Sequence, residues 1–259
     1  FFDPNEVPDL YEAFYKDSDL FEELYVKYEK QRNLRKKVLT AEEVFKGGLL
    51  KERTDTGRIY MVFIDNVMNQ GPFDPEFHTI YQSNLCCEIL LPTKPFKRLD
   101  DSNGRIALCT LGSINWGAFR NPEDMRRACR TLQRSLCNIL DYQDFLSIQS
   151  KLSNDEISPL GIGVTNLAYW HAKRGMKYGG KEALQDVKSW MEHQAFYLTE
   201  ASVELAKDRG PCLHSEFTRY GKGYFPWENR AKGVNKLADF TPELDWEQLR
   251  SDMRSHGIR

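Results

Sequence analysis

A helix from Lys181 to Arg209 dictates much of what this chain can become. Ala183, Val187, Met191, Phe196, Leu198, Ala201 and Leu205 fall mostly on its inner side, and Gly210-Pro211 ends it. A second long helix, from Asn121 to about Asp141, opens with an N-cap asparagine and proline at the first helical position, and turns Met125, Ala128, Cys129, Leu132, Leu136 and Leu140 inward. Shorter helical signals cover Pro8 to Tyr28, broken near Asp17 to Asp19, and Asn166 to Lys173, stopping at Gly175. Thr40 followed by Glu43 forms a capping box that predicts a helix from Ala41 to Lys51. Thr241-Pro242 predicts a last helix ending near Gly257.

Between the helices, Arg58 to Asp65 and Arg105 to Leu111 are rich in apolar residues and predict short buried strands. Strands alternating with helices make the chain α/β. Leu160-Gly161-Ile162-Gly163-Val164 lacks the third glycine of a dinucleotide fingerprint and predicts close backbone packing instead. Asp100-Asp101-Ser102-Asn103-Gly104 has Leu99 where a calcium loop ending its turn at Gly104 needs its first ligand, which leaves a polar turn.

Composition removes several functional classes. The net charge of -2, from 36 basic and 38 acidic residues, provides no general attraction for nucleic acid or an anionic membrane. Any phosphate-bearing ligand must be held locally. No apolar run is long enough to span a bilayer and no signal-peptide order is present, so a cytoplasmic location is expected. The five histidines are scattered, with no His-Glu-x-x-His, and no serine occupies a Gly-x-Ser-x-Gly elbow. The six cysteines include no Cys-x-x-Cys pair and are too sparse for a disulfide scaffold. Chemistry is therefore sought among the thiols.

Gln82 to Thr93 is the stretch that offers it. Asn84, Cys86 and Glu88 occupy alternate positions, and in an extended segment same-side neighbours lie roughly 6.5–7 Å apart. One face would then carry an amide, a thiol and a carboxylate. Glu88 could take a proton from an alcohol, and Asn84 could orient a hydroxyl. Cys86 could serve as a nucleophile, a redox thiol or a one-electron species, and an ordinary strand with a polar face accounts for the same spacing.

Asn84-Leu85-Cys86-Cys87-Glu88-Ile89-Leu90-Leu91-Pro92-Thr93-Lys94-Pro95, followed by Arg105-Ile106-Ala107-Leu108-Cys109-Thr110-Leu111, resembles the active-site region of the large subunit of aerobic, class I ribonucleoside-diphosphate reductase. The family motif is Asn-Leu-Cys-x-Glu, with a further cysteine at this distance. Similarity continues in Arg53 to Tyr60, in Leu160 to Val164 and from Leu244 to Gly257, and the wording is most similar to the enterobacterial and T-even-like bacteriophage branch.

The resemblance implies a ten-stranded α/β barrel with a finger loop at about residues 82–95. It makes Cys86 the transient thiyl radical that abstracts the ribose 3'-hydrogen and Glu88 the acceptor of the 3'-hydroxyl proton. Ser83, Asn84 and Glu88 become substrate-binding residues, and Cys109 one of two cysteines that end in a disulfide. A sulfur–hydrogen bond close in strength to an activated ribose C–H bond suits the abstraction, and reduction needs two electrons, hence a second thiol.

In the family that second thiol lies upstream, whereas this chain has no cysteine before Cys86; Cys87 is assigned to packing. The resemblance also makes residues 1–259 an incomplete central barrel domain, without the N-terminal effector cone, the phosphate-binding loop or the C-terminal dithiol tail. No cofactor is implied on the chain itself. A metal-containing small (beta) subunit would supply the radical, ATP and deoxynucleotide effectors would bind outside this segment, and thioredoxin or glutaredoxin would restore the dithiol. The substrate would be a ribonucleoside diphosphate. Self-association, or association with other large-subunit pieces, is expected, and a silent assembly module is the competing reading.

Overall fold

A computed structural model describes residues 1–228, 230, 233–234 and 241–259. The chain divides into two compact units, one formed by Phe1–Gly71 with Pro75–Leu90 and the other by Pro72–Asp74 with Leu91–Arg259.

In the first unit, α1 (Pro8–Lys16) and α2 (Ser18–Lys30) are separated at Asp17, whose carboxylate accepts from the amides of Asp19 and Leu20 and so caps α2. Val7, Leu10, Ala13 and Leu24 form its small core, with Phe2, Phe21, Tyr28 and Leu34 around them. The capping box is present: Thr40 Oγ1 accepts from the Glu43 amide at 3.2 Å, and Glu43 accepts from the Thr40 amide at 2.7 Å. The helix it starts runs further than expected. It is π-helical over Glu43–Leu50, where Gly47 and Gly48 leave the widened turns unhindered, and continues as α3 (Lys51–Thr56) to Gly57, which leaves it at φ +69°.

The strand expected over Arg58 to Asp65 is not formed. Residues 58–63 are irregular, α4 (Ile64–Gln70) begins within the expected strand, and Phe63 is 72% exposed. Apolar, β-branched composition alone does not make a strand; a hydrogen-bonded partner does, and none pairs with this run among the described residues.

The second unit is built on a parallel pair, β1 (Leu111–Asn115) and β2 (Gly161–Thr165), in the register Ile114 opposite Val164. β1 starts where Arg105 to Leu111 was expected to end, because the cross-strand bonds begin only with the Gly161 amide donating to the Thr110 carbonyl at 2.9 Å. Arg105 instead forms an isolated antiparallel bridge with Lys94, closing the polar turn at Asp100–Gly104. Leu160 to Val164 is thus largely a strand. The close approach lies on β1, where a Cβ added to Gly112 would stand 3.1 Å from Leu132 and Leu136; at Gly163 it would meet Ser113 at an ordinary 3.8 Å.

Helices α5 (Pro122–Tyr142), α6 (Ile148–Ile157), α7 (Leu167–Lys173) and α8 (Lys181–Arg209) follow, and the helix expected from Pro242 begins instead as α9 (Trp246–His256), because the Asp245 carboxylate caps it by accepting from the Gln248 amide. The core gathers Ile114, Trp116, Phe119, Met125, Cys129 and Trp170 between β1, α5 and α7, with Val187, Trp190 and Leu198 of α8 against it. Met191, expected inward, is exposed.

Three arginines of α5 pair with acids of α8 at a constant separation: Arg126 with Glu200, Arg130 with Glu204 and Arg134 with Asp208. Equal increments on both helices mean that they run in the same direction. Each pair is partly solvated and adds little stability, so the contribution is to register. Inside, the Trp116 indole donates to Gln194 at 2.7 Å. Buried Glu192 accepts through one oxygen from the amides of Glu243 and Leu244 and from the Trp246 indole, at 2.7, 3.1 and 2.9 Å, which holds the approach to α9 on α8. No helix among the described residues is long and apolar enough to cross a membrane.

Candidate active site

Ser83 to Ile89 is bent, where an extended segment was expected. The Cys87 amide donates to the Asn84 carbonyl at 3.0 Å, closing a turn with Leu85 and Cys86 at its centre. Cys87 itself takes φ +61°, a left-handed conformation that non-glycine residues seldom adopt. This reversal ends the alternation of faces. In a strand Asn84 and Glu88 would stand about 13 Å apart; here the Asn84 amide donates through Nδ2 to Glu88 Oε1 at 2.6 Å.

Asn84 is held at its other end too. Its Oδ1 accepts from the Ile89 amide at 3.1 Å. The Ser83 hydroxyl donates to the Ile89 carbonyl at 3.0 Å, with Asn84 Oδ1 as a second acceptor at 3.3 Å. The loop is therefore closed at its base by Ser83 and Ile89, and spanned above by Asn84 and Glu88. Leu85 and Cys86 project at the crest, with Leu85 90% exposed and the Cys86 thiol open to solvent. Cys87, assigned to packing, is half-buried.

The arrangement places a carboxylate, its amide partner and an accessible thiol within five consecutive residues. A carboxylate can take a proton, an amide can both donate to and accept from a hydroxyl, and an exposed sulfur can exchange a hydrogen atom or an electron with a neighbour.

Cys109 belongs to the other unit, and is exposed two residues before β1. Its segment is anchored upstream. The Arg105 guanidinium forks onto Glu156 of α6, with Nε and Nη2 donating to the two carboxylate oxygens at 2.7 and 2.5 Å, while Nη1 donates to the carbonyls of Ser102 and Gly104. Gln149, fully buried on the same helix, donates to the Leu99 and Asp101 carbonyls at 3.1 and 2.8 Å, and its own backbone carbonyl accepts from the Ile106 amide. The sequence carries no signal for this support, since nothing local links residues roughly fifty positions apart.

The other three cysteines are of a different kind. Burial pushes the thiol of Cys129 up to about 12 and that of Cys212 up to about 11, and raises that of Cys137, so none forms the thiolate at neutral pH. Sulfur open to solvent is confined to Cys86 and Cys109, with Cys87 half-buried.

Comparison with known proteins identifies the family. The family model described as ribonucleotide reductase, barrel domain, matches residues 1–259. The ribonucleoside-diphosphate reductase subunit alpha of Haemophilus influenzae is 43% identical over the whole chain. The ribonucleoside-diphosphate reductase 1 subunit alpha of Escherichia coli is 41% identical, and the corresponding subunit of Enterobacteria phage T4 36% identical, again over the whole chain. The chain spans about a third of the length of these relatives (34% in each case). With the match running from its first residue to its last, this chain belongs to the ribonucleotide reductase barrel-domain family.

Proposed function

We propose that this chain is the part of an aerobic ribonucleotide reductase large subunit that carries the radical chemistry, acting on ribonucleoside diphosphates. The observation that carries the reading is the Asn84–Glu88 hydrogen bond at 2.6 Å, formed across a turn that leaves the Cys86 thiol exposed. Family membership and the names of the relatives support it.

In this reading a partner subunit with a metal centre oxidises Cys86 by one electron and one proton, and the resulting thiyl radical takes the 3'-hydrogen of the ribose. Glu88 accepts the 3'-hydroxyl proton, and Asn84 fixes the hydroxyl's direction. The 2'-hydroxyl leaves as water. Two thiols each give up one hydrogen and become a disulfide, so one diphosphate and one dithiol yield one deoxynucleoside diphosphate, one disulfide and one water. The radical then returns to Cys86. Cys109 is one of those thiols, and a thioredoxin- or glutaredoxin-type dithiol restores the pair. ATP and deoxynucleotide effectors act through segments outside this chain.

The test uses a large subunit in which residues 1–259 replace the matching third of the Haemophilus influenzae protein, supplied with small subunit, dithiol and effector. It should reduce a ribonucleoside diphosphate, and Cys86→Ser should lower turnover by about a thousandfold or more, since serine cannot take the hydrogen-atom role. Near-normal turnover by that variant would overturn the reading.

A further inference from the structure

We propose that Ser83, which the resemblance makes a substrate-binding residue, is instead the positioning residue of the radical loop, acting through Asn84 rather than on substrate. The inference rests on the function proposed above and extends it to a residue adjoining the chemical set.

Within the loop the Ser83 hydroxyl has two acceptors, the Ile89 carbonyl at 3.0 Å and Asn84 Oδ1 at 3.3 Å. A hydroxyl owns one proton, so its donor capacity is used inside the loop and none remains for a ribose or phosphate oxygen. The first contact joins residues 83 and 89, the two ends of the bend, and fixes its width. The second contributes to orientation.

An asparagine amide can turn over, exchanging its oxygen and nitrogen, and its direction is decided by its partners. The Ile89 amide donates to Oδ1 at 3.1 Å, and the single Ser83 proton, shared with the nearer Ile89 carbonyl, reaches Oδ1 as a second and weaker donor at 3.3 Å. Nδ2 is thereby left facing the Glu88 carboxylate, the one arrangement in which amide and carboxylate attract. A reversed amide would put two acceptors together at Glu88, and would set an amide donor against the Ile89 amide. Ser83 thus helps set both the spacing of the loop ends and the polarity of the Asn84–Glu88 pair, and both must be right before a substrate hydroxyl is aligned.

The turn itself gives this role its weight. Cys87 occupies a left-handed conformation with no glycine to ease it, so the bend is not intrinsically favoured and is held by its hydrogen bonds. Within the loop these run from Cys87 to Asn84, from Ile89 to Asn84, from Asn84 to Glu88 and from Ser83 to Ile89.

The experiment measures kcat and KM for a ribonucleoside diphosphate in the same complete large subunit, with Ser83→Ala, Ser83→Thr, Asn84→Ala and the double variant Ser83→Ala/Asn84→Ala. Ser83→Ala should lower kcat about tenfold with KM within about twofold, the signature of lost alignment rather than lost binding. Ser83→Thr keeps the hydroxyl and should recover most of the loss. On the Asn84→Ala background, removal of the Ser83 hydroxyl should lower kcat by clearly less than it does in the unaltered loop, because only its bond to the Ile89 carbonyl remains to be lost.

A rise in KM with kcat retained would mean a direct substrate contact and would overturn the proposal, as would multiplicative losses in the double variant or an unaltered Ser83→Ala enzyme. Failure of the underlying function shows differently: wild-type segment without turnover, or Cys86→Ser with it. A working enzyme that depends on Cys86 but is indifferent to Ser83 removes only the positioning role.

Discussion

Replacing Arg105 by alanine removes two bonds to the Glu156 carboxylate, at 2.7 and 2.5 Å, and two to the carbonyls of Ser102 and Gly104, at 2.8 and 2.7 Å. The side chains of the pair are 22% and 17% exposed, so neither limit for ion pairs applies. Breaking a fully buried pair costs about 3–5 kcal/mol and breaking an exposed one about 0–1 kcal/mol. A loss of about 2–3 kcal/mol lies between them. Arg105→Lys keeps the charge but not the fork and should lose about half as much. All five tryptophans lie in the unit that contains Arg105, so urea unfolding followed by tryptophan fluorescence reports on it directly. With an unchanged slope of about 2–3 kcal/mol per molar urea, the midpoint for Arg105→Ala should fall by about 1 M. A cost below about 0.5 kcal/mol, or equal losses for alanine and lysine, would refute the idea that this fork anchors the segment leading to Cys109.

Iodoacetamide at mildly alkaline pH should label Cys86 and Cys109 quickly and leave Cys129, Cys137 and Cys212 intact until denaturant is added, as read by peptide mass spectrometry; rapid labelling of Cys129 would contradict its burial. The Thr40 amide, then its hydroxyl, holds the Glu43 carboxyl below the usual glutamate range, so the capping box contributes fully above that range and is lost as pH falls through the lowered value. An NMR titration should show the low midpoint, and Thr40→Ala should move it upward. Because Cys87 sits at φ +61°, Cys87→Gly should leave thermal stability equal or higher, whereas Cys87→Val should lower it by about 1–2 kcal/mol; a stable valine variant would mean that the turn is not left-handed.

Helices were legible because their signals are local. Asp17 capping α2, Asn121-Pro122 opening α5 and Gly210 closing α8 each act within a few residues. Strands were not, since a strand is defined by its partner. Arg58 to Asp65 has the composition but no partner among the described residues, and β1 begins where the Gly161 amide meets Thr110. The α5–α8 arginine ladder spans 74 residues in sequence at every rung and leaves no local trace.

At the site, residue identities were readable and geometry was not. Asn84, Cys86 and Glu88 stood out as types, yet the bend rests on a left-handed cysteine, and its one local turn signal is Asn84 at the first position, with no glycine or proline among Leu85-Cys86-Cys87. Alternate residues therefore suggested a shared strand face, where a hydrogen bond between positions four apart is what brings the amide to the acid.

Turnover of a ribonucleoside diphosphate by the completed large subunit carrying Cys86→Ser is the most direct measurement. Loss of product by about a thousandfold or more, with nucleotide binding and subunit assembly retained, is the predicted result. Deoxynucleotide formed at a rate near that of the unaltered segment would contradict the assignment of the radical to Cys86 and, with it, the function proposed for this loop.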